Sequence, residues 1–297
     1  NSFTENTRPV SVYAQRIDST LYGNTYTDNV KDYIEVQGDH IQDNGAFIWA
    51  MDGAPYVVNG HVYVQRNNNN LQLSTLKIED GTIIQFDGYH LYIGHENNGS
   101  YRGALQADGV TFTRSDATDT WLGIRIRNLS DDATTYLDNC TIEYAGDGIY
   151  CESSSPTITN TVFRYNEDGI DADPGSAPIL VDNTFMSNQY PVKIYGDQID
   201  GNLYGNTYYG NAIDTLSSSD YIFVYGDVSN NSYERLHENK TYDWLKDGAP
   251  YRLTDHIYVY ESSYTTENLS TLKIHPGVVV SFEQDRNIWI GHGSEYR

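Results

Sequence analysis

Basic residues are scarce in this chain of 297 residues. It carries 18 Lys and Arg against 41 Asp and Glu, a formal net charge of −23. Proteins bind nucleic acids through clustered basic residues that contact phosphates, so this balance argues against nucleic acid as a partner. We expect an acidic surface that attracts cations and keeps the protein in solution.

Long apolar runs are also missing. A membrane-spanning helix needs about 18 or more consecutive apolar residues, and the sequence has no such run, so we expect no membrane insertion. No signal peptide is recognisable, and the chain begins at Asn1 without Met. We expect any targeting segment to have been removed or to lie outside this sequence.

No convincing amphipathic helix can be found. The sequence has only 2 Met but 27 Tyr and 25 Gly, and it is rich in Asn. Tyr and β-branched residues favour strands, whereas Gly, Asn and Asp favour turns. The composition therefore predicts an all-β protein.

The chain repeats itself over a long distance. Residues 1–26 align without a gap on residues 183–208, and two later segments match in the same order: 52–56 with 247–251, and 73–78 with 269–274. We therefore interpret residues 103–297 as one complete unit of a tandem repeat of about 195 residues. Residues 1–102 are then the C-terminal part of the preceding unit, continuous with it, and we expect the parent chain to continue.

A shorter period runs inside the unit. The motif aromatic-x-x-Asn begins at Phe163, Phe185 and Tyr208, which are 22 and 23 residues apart. A spacing of about 22 residues is too short for a pair of helices and suits one coil of a parallel β-helix, in which three short strands are joined by turns. The sequence predicts a β-solenoid with about 22 residues per coil.

Alternation within each strand predicts which side chains face inward. Ile142, Phe163, Phe185 and Tyr208 should stack in one internal column, with their outward neighbours on the opposite side of the strand: Glu143, Arg164 and Met186. The Asn of each motif is expected at a turn, where Asn can tolerate left-handed backbone, with its amide bonded to the Asn of the next coil.

Only two cysteines are present, Cys140 and Cys151. Each lies two residues from an expected inward residue, so both should point inward. We predict buried thiols, and a disulfide remains the alternative because it requires Cα atoms within about 7 Å of each other.

Several segments resemble known proteins. The stretch from Leu272 to Phe282 is similar to the L-x-I-x-P-G-x-x-x-x-F coils of large bacterial and archaeal surface proteins, and Gly103–Ile124 resembles another of their coils. The F-x-x-N-x-x-G-I coils resemble the right-handed β-helix repeat group, which includes copper-accessory proteins, pectate-lyase-like enzymes and mannuronan epimerases. This resemblance implies an all-β, right-handed parallel β-helix over the whole chain and says little about function.

Candidate catalytic residues are few. Asp147, Asp168, Asp171 and Asp173 fall on neighbouring coils, and polysaccharide-cleaving enzymes use converging carboxylates; an acidic, solvated turn face is the favoured interpretation. Gly291-His292-Gly293 is similar to a polygalacturonase motif, but the accompanying motifs are missing. We therefore expect no enzymatic activity, with a polysaccharide lyase or hydrolase as the alternative.

Acidic clusters also raise the question of a metal. Asp171, Asp173 and Asp197 offer the hard oxygen ligands that Ca²⁺ prefers, although solvated charge is favoured over a Ca²⁺ site. No other cofactor is expected.

Six Asn-x-Ser/Thr motifs are compatible with a glycosylated, secreted protein. These glycosylation candidates are Asn98, Asn128, Asn139, Asn230, Asn239 and Asn268. Outward tyrosines, which could stack on sugar rings or on a neighbouring chain, are expected at Tyr101, Tyr165, Tyr195 and Tyr225.

Three functions are compatible with these features. We expect an extracellular or cell-surface structural and interaction protein, such as a stalk, surface-layer component, adhesin or fibre subunit, whose partners are further copies of itself, end to end or laterally, and cell-surface polysaccharide. The alternative is a β-helix that binds or cleaves carbohydrate, for which carboxylates, a base and aromatic rings should converge on one face. The third hypothesis is an adhesive module that requires calcium.

Overall fold

A computed structural model describes most of the chain. The described residues are 1–17, 21–67, 73–96, 101–117, 120–214, 217–226, 234–236, 240–259 and 269–291. Within them the structure is built from β-strands, with two short 3-10 helices at Ala14–Arg16 and Gly196–Gln198 and no α-helix. No helix in this part of the chain is long and apolar enough to cross a membrane.

Three long parallel sheets form the body of the molecule, here called sheets A, B and C. The strands of sheet A, in order, are Gly45–Trp49, Ser74–Ile78, Tyr101–Asp108, Tyr136–Asp138, Thr157–Thr159, Ile179–Val181 and Leu203–Tyr204. The strands of sheet B are Val10–Tyr13, Ile34–Gln37, Tyr56–Val58, Ile83–Phe86, Thr111–Arg114, Thr141–Glu143, Val162–Arg164, Thr184–Met186 and Thr207–Tyr209. The strands of sheet C are Asp39–Ile41, Val62–Val64, His90–Ile93, Trp121–Ile126, Ala145–Cys151, Asp168–Ala172, Tyr190–Tyr195, Ile222–Tyr225, Tyr251–Leu253 and Val280–Phe282.

The remaining strands form small sheets. Parallel pairing joins Ser2–Thr4 with Thr25–Thr27, Thr241–Trp244 with Thr271–Ile274, and the three strands Glu234–Leu236, Ile257–Val259 and Ile288–Ile290. Antiparallel pairing joins Ala212–Asp214 with Ser217–Ser218, and Arg66–Asn67 with the start of Tyr101–Asp108.

The chain winds through the three sheets in turn, one strand in each. Thr157–Thr159 lies in sheet A, Val162–Arg164 in sheet B and Asp168–Ala172 in sheet C, after which Ile179–Val181 returns to sheet A. This all-parallel stacking is the predicted β-solenoid. Paired residues of the aromatic-x-x-Asn coils are 21 to 23 positions apart, whereas the pair Thr111 and Thr141 spans 30.

The predicted internal column is confirmed. Ile142, Phe163 and Phe185 are fully buried, and Tyr208 is 8% exposed. The rings stack from coil to coil, with centroids 5.0 Å apart for Phe163 and Phe185 and 5.1 Å apart for Phe185 and Tyr208. Because each ring lies under the next, the column removes a continuous apolar surface from water, which is the main stabilising contribution to the coil.

The predicted asparagine ladder is also confirmed. Asn166 Nδ2 donates to Asn188 Oδ1 at 3.0 Å, and Asn188 Nδ2 donates to Asn211 Oδ1 at 3.1 Å. A second ladder joins Asn183 to Asn206 at 3.1 Å. All these side chains are buried, so the ladder satisfies amide groups that would otherwise be costly to remove from water.

The Asn residues of these turns do not use the left-handed backbone that Asn can tolerate. The left-handed residue precedes the Asn: it is Tyr165 before Asn166 (φ 59°), Ser187 before Asn188 (φ 55°) and Gly210 before Asn211 (φ 66°). The left-handed residue reverses the chain, and the Asn that follows can then point inward and bond the next coil. Where this residue is not glycine, as with Tyr165 and Ser187, the conformational cost falls on a residue whose side chain is exposed.

Both cysteines are buried and unpaired, as predicted. Burial raises the pKa of the Cys140 thiol to about 12 and also raises the pKa of the Cys151 thiol. Both are therefore apolar packing residues, since the reactive thiolate form is strongly disfavoured.

Candidate functional site

The outer face of sheet C carries a row of charged and aromatic residues. The strand register places Arg125 beside Tyr150, Tyr150 beside Asp171, and Asp171 beside Lys193. Between these outward positions, Ile149, Ile170 and Val192 face the core and are fully buried. Regular alternation along four neighbouring strands therefore concentrates polar side chains on one face.

A local irregularity adds a second outward row. The register shifts by one residue between Gly123 and Ile124, because Asp147 pairs with Gly123 while Ile149 pairs with Ile124. The extra residue is Gly148. A Cβ there would lie 2.6 Å from the Gly169 carbonyl oxygen, so a larger residue does not fit without movement. Such a bulge redirects a side chain, and here it presents the Asp of each Asp-Gly-Ile segment.

Asp147 and Asp168 are neighbours in this second row. Together with Asp171 they form a group of three carboxylates in which the candidate ligand oxygens all lie within 4.8 Å of one another. Lys193 lies over them: its Nζ contacts Asp168 Oδ2 directly and lies 3.8 Å from Asp171 Oδ2. The carboxylates and the ammonium group meet at one point on the outer face, which we call the acidic cluster.

Burial and mutual repulsion alter the protonation of the cluster. Burial raises the pKa of Asp168 to about 7; Lys193 opposes this shift, and the charges of Asp171 and Asp147 add to it. Burial likewise raises the pKa of Asp171 to about 6, and it raises the pKa of Asp147. The pKa of Lys193 is raised despite burial because the neighbouring carboxylates stabilise its charged form.

Aromatic rings and further charges surround the cluster. The Lys193 ammonium lies 4.7 Å from the Tyr190 ring centroid, and the Arg125 guanidinium lies 4.6 Å from that of Tyr150. Arg125 also bonds Glu152 at 3.1 Å. An open depression of about 520 Å³ lies over the adjacent turns between sheets B and C, lined in part by Glu167. The cluster therefore lies on a polar face with both charge signs and several rings, next to this depression and not within it.

Only some of the predicted site residues come together. Asp147, Asp168 and Asp171 form the cluster. Asp173, two residues beyond Asp171, is hydrogen-bonded to the Tyr150 hydroxyl instead. Asp197, in the 3-10 helix Gly196–Gln198, is not part of the group. The calcium candidates Asp171, Asp173 and Asp197 therefore do not form one site.

Sequence reasoning missed the lysine. The repeat offered no clear signal, because segments 1–26 and 183–208 are identical at only 14 of 26 positions, and Lys193, which corresponds to Ser11, is one of 12 differences. In the first segment Ser11 donates to Glu35 at 2.7 Å, and Arg8 pairs with Glu35 at 3.0 Å. The two copies therefore carry different polar groups at this position, a hydroxyl in the first and an ammonium group in the second.

A stack of rings lies further along the same face. His40, Tyr63 and Tyr92 are stacked at 4.6 and 4.8 Å, and the Arg127 guanidinium lies 4.0 Å from the Tyr92 ring centroid. The ring faces of Tyr63 and Tyr92 are covered by these neighbours, so mainly ring edges face solvent. This stack is suited to stabilising the sheet, and less suited to stacking on a sugar ring.

The other candidates are dispersed. Of the outward tyrosines, Tyr165 is 47% exposed, and Tyr101, Tyr195 and Tyr225 are half-buried. Of the glycosylation candidates, Asn128 and Asn139 are exposed. Asn98, Asn230, Asn239, Asn268 and His292 lie outside the described residues.

Three carboxylates at this spacing could hold a hard divalent cation. Ca²⁺ takes oxygen ligands at about 2.3–2.6 Å, so two of its ligands are at most about 5 Å apart, and the oxygens of the cluster meet that limit. The same carboxylates beside Lys193 could instead bind hydroxyl groups or exchange protons.

Comparison with known proteins bears on the fold. A family model described as "Right handed beta helix region" matches residues 62–226 and 104–269, which together span more than half of the chain. No curated protein and no solved structure matches the chain. Its stacked parallel sheets and this match agree: the chain belongs to the right-handed β-helix family.

Proposed function

We propose that the protein is an extracellular β-helix repeat protein that binds carbohydrate on the outer face of sheet C. The observation that carries the proposal is the acidic cluster of Asp147, Asp168 and Asp171 beneath Lys193. Carboxylates accept hydrogen bonds from sugar hydroxyls and an ammonium group donates to sugar oxygens, so this combination suits a polar, uncharged or weakly charged glycan.

The surrounding scaffold supports binding by a rigid site. The internal ring column and the asparagine ladders fix neighbouring strands in register, so the cluster side chains start from fixed positions. A preorganised site loses less conformational entropy when a ligand binds. The stalk, adhesin and fibre roles expected from the repeats remain proposals for the rest of the molecule, as do self-association and surface location.

Affinity electrophoresis against a panel of soluble polysaccharides tests binding. The parent protein should be retarded by at least one polysaccharide, and Lys193→Ala should weaken that interaction at least tenfold because it removes the only Lys of the cluster. The matched control is Lys77→Ala, which removes an exposed Lys from sheet A. If Lys193→Ala is retarded as strongly as Lys77→Ala and the parent protein, the polysaccharide binds away from the acidic cluster. If no polysaccharide retards the parent protein, the proposal is wrong.

Cleavage is a second candidate, favoured by one observation. A carboxyl group whose pKa is raised to about 7 is partly protonated near neutral pH, as a general acid requires, and Asp168 has this property. Release of new reducing ends from the retained polysaccharide, lost in Asp168→Asn, would establish hydrolysis. If the polysaccharide is bound and its length does not change, the protein binds it without cleaving it.

A further inference from the structure

We infer that the acidic cluster is a divalent-cation site that takes Ca²⁺ through Asp147, Asp168 and Asp171. The inference does not depend on carbohydrate binding. It begins with position: the three carboxylates come from two adjacent strands of sheet C, Ala145–Cys151 and Asp168–Ala172. Their oxygens converge within 4.8 Å of one another, on a face that solvent can reach.

An unpartnered buried oxygen points to a missing ligand. Asp168 is only 4% exposed, and its Oδ1 is buried without a hydrogen-bond partner, whereas its Oδ2 is bonded to Lys193. A buried carboxylate oxygen without a donor destabilises the folded protein, because it has lost its hydrogen bonds to water and gained none in return. Neighbouring acidic groups do have donors: the Tyr150 hydroxyl donates to Asp173, and Arg125 donates to Glu152. Asp168 Oδ1, in the residue that the group of three carboxylates shares with Lys193, is therefore left without a donor.

Local charge favours a cation over further hydrogen bonding. Three carboxylates and one ammonium group leave a net charge of about −2 at the cluster when all are ionised. One Ca²⁺ would neutralise this charge and supply the ligand that Oδ1 lacks. Asp171 is half-buried, with a side chain 28% exposed, which leaves room for water to complete a coordination shell of 6–8 oxygens.

Lys193 competes with the cation. Its ammonium group occupies Asp168 Oδ2 and lies near Asp171, so calcium entry must weaken that contact. Removing the ammonium should consequently strengthen calcium binding, although the same change should weaken carbohydrate binding at least tenfold if the proposed function holds. This opposite effect separates the two proposals.

Isothermal titration of the calcium-stripped protein with calcium chloride tests the inference. The parent protein should bind one Ca²⁺ with a dissociation constant of about 10⁻⁴–10⁻³ M, the range of extracellular calcium modules. Asp168→Asn should weaken binding at least tenfold, and Lys193→Met should strengthen it about threefold or more. Asp87→Asn, which removes an exposed carboxylate elsewhere, should leave binding unchanged.

Folding and non-specific binding are controlled in the same experiment. Circular dichroism of each variant reports folding, and Asp171→Asn provides a second ligand variant if Asp168→Asn does not fold. Equal titration of the parent, Asp168→Asn, Asp171→Asn and Asp87→Asn would show a diffuse counterion atmosphere and overturn the inference. The absence of a one-site transition at millimolar calcium would also overturn it, because a proton shared between Asp147 and Asp168 would then be the satisfactory alternative.

Discussion

At the scale of single residues, His90 shows how burial on sheet C controls the protonation of a side chain. Burial lowers the pKa of its imidazole to about 4, a backbone hydrogen bond to Gly123 opposes the shift, and the charges of His61 and Arg125 add to it. The His90 backbone N–H donates to His61 Nδ1 at 3.1 Å. The folded protein therefore keeps His90 neutral at pH values where an unfolded chain would protonate it.

A pH dependence follows from this difference. Between pH 6.5 and about 4, the unfolded chain binds a proton at His90 that the folded protein does not, so this residue makes stability fall as the pH falls. Asp168 and Asp171 have raised pKa values and act in the opposite direction. Comparing the parent with His90→Gln measures the contribution of the histidine alone. The melting temperature of His90→Gln should fall less than that of the parent between pH 7 and pH 4.5. Parallel pH profiles would contradict the assignment.

The residue scale also separates what sequence could and could not predict about the site. Asp147, Asp168 and Asp171 were recognisable because the coil spacing puts them on neighbouring strands. Strict alternation would nevertheless place Asp147 on the same side of its strand as the buried Ile149, and the register shift at Gly148 that breaks this alternation is not encoded in the coil spacing. Asp173 is not part of the group and is hydrogen-bonded to the Tyr150 hydroxyl, a contact that the sequence does not reveal.

At the scale of the coil, the turn between sheets B and C carries a defined conformational cost. The same left-handed position is occupied by Tyr165, Ser187 and Gly210 in successive coils. A side chain in this conformation costs about 1 kcal/mol relative to Gly, unless its contacts offset the cost. Tyr165 has such a contact, because its ring stacks on that of Tyr144 at 5.1 Å.

Ser187 provides the test of this turn. Ser187→Gly should raise the free energy of unfolding by up to about 1 kcal/mol, because Gly adopts the left-handed backbone without strain. Ser187→Ala is the matched control and should give no gain, since Ala also carries a Cβ. Urea unfolding followed by circular dichroism measures both variants. A gain for Ala equal to that for Gly would show that the backbone conformation is not the cause.

The recurring Asp-Gly-Ala-Pro segment acts at the same scale as a cap. Asp52 accepts hydrogen bonds from Asn24 and from the Tyr26 hydroxyl, and Asp247 accepts the equivalent bonds from Asn206 and Tyr208. Both carboxylates are buried. Each one therefore ends an asparagine ladder and a ring column by satisfying the last donors.

Glycine is required in this cap for a steric reason. A Cβ at Gly53 would lie 2.4 Å from the Asn24 carbonyl oxygen, and one at Gly248 would lie 1.9 Å from that of Asn206. The identical segments at 52–55 and 247–250 thus have identical roles. The sequence revealed their repetition, but their role as caps depends on contacts to residues 28 and 41 positions away.

At the scale of the whole molecule, the solenoid was predictable and its changes of sheet were not. The coil period, the inward column and the ladder follow from regular spacing. The two copies of the long repeat nevertheless use different sheets: Tyr56–Val58 lies in sheet B, and its counterpart Tyr251–Leu253 lies in sheet C. In the second copy the ring column that Asp247 caps ends with Tyr208 in the last strand of sheet B, Thr207–Tyr209. The strand that follows the cap, Tyr251–Leu253, pairs in sheet C. The division at residues 102 and 103 remains a prediction.

Carboxyl footprinting read by mass spectrometry tests the central claim most directly. The protein is labelled at Asp and Glu side chains with and without the polysaccharide that retards it. Binding at the acidic cluster predicts reduced labelling of Asp147 and Asp171, with unchanged labelling of the exposed Glu79 and Asp80. Protection of Glu79 and Asp80 with unchanged labelling of Asp147 and Asp171 would contradict the account, because the carbohydrate would then lie away from the outer face of sheet C.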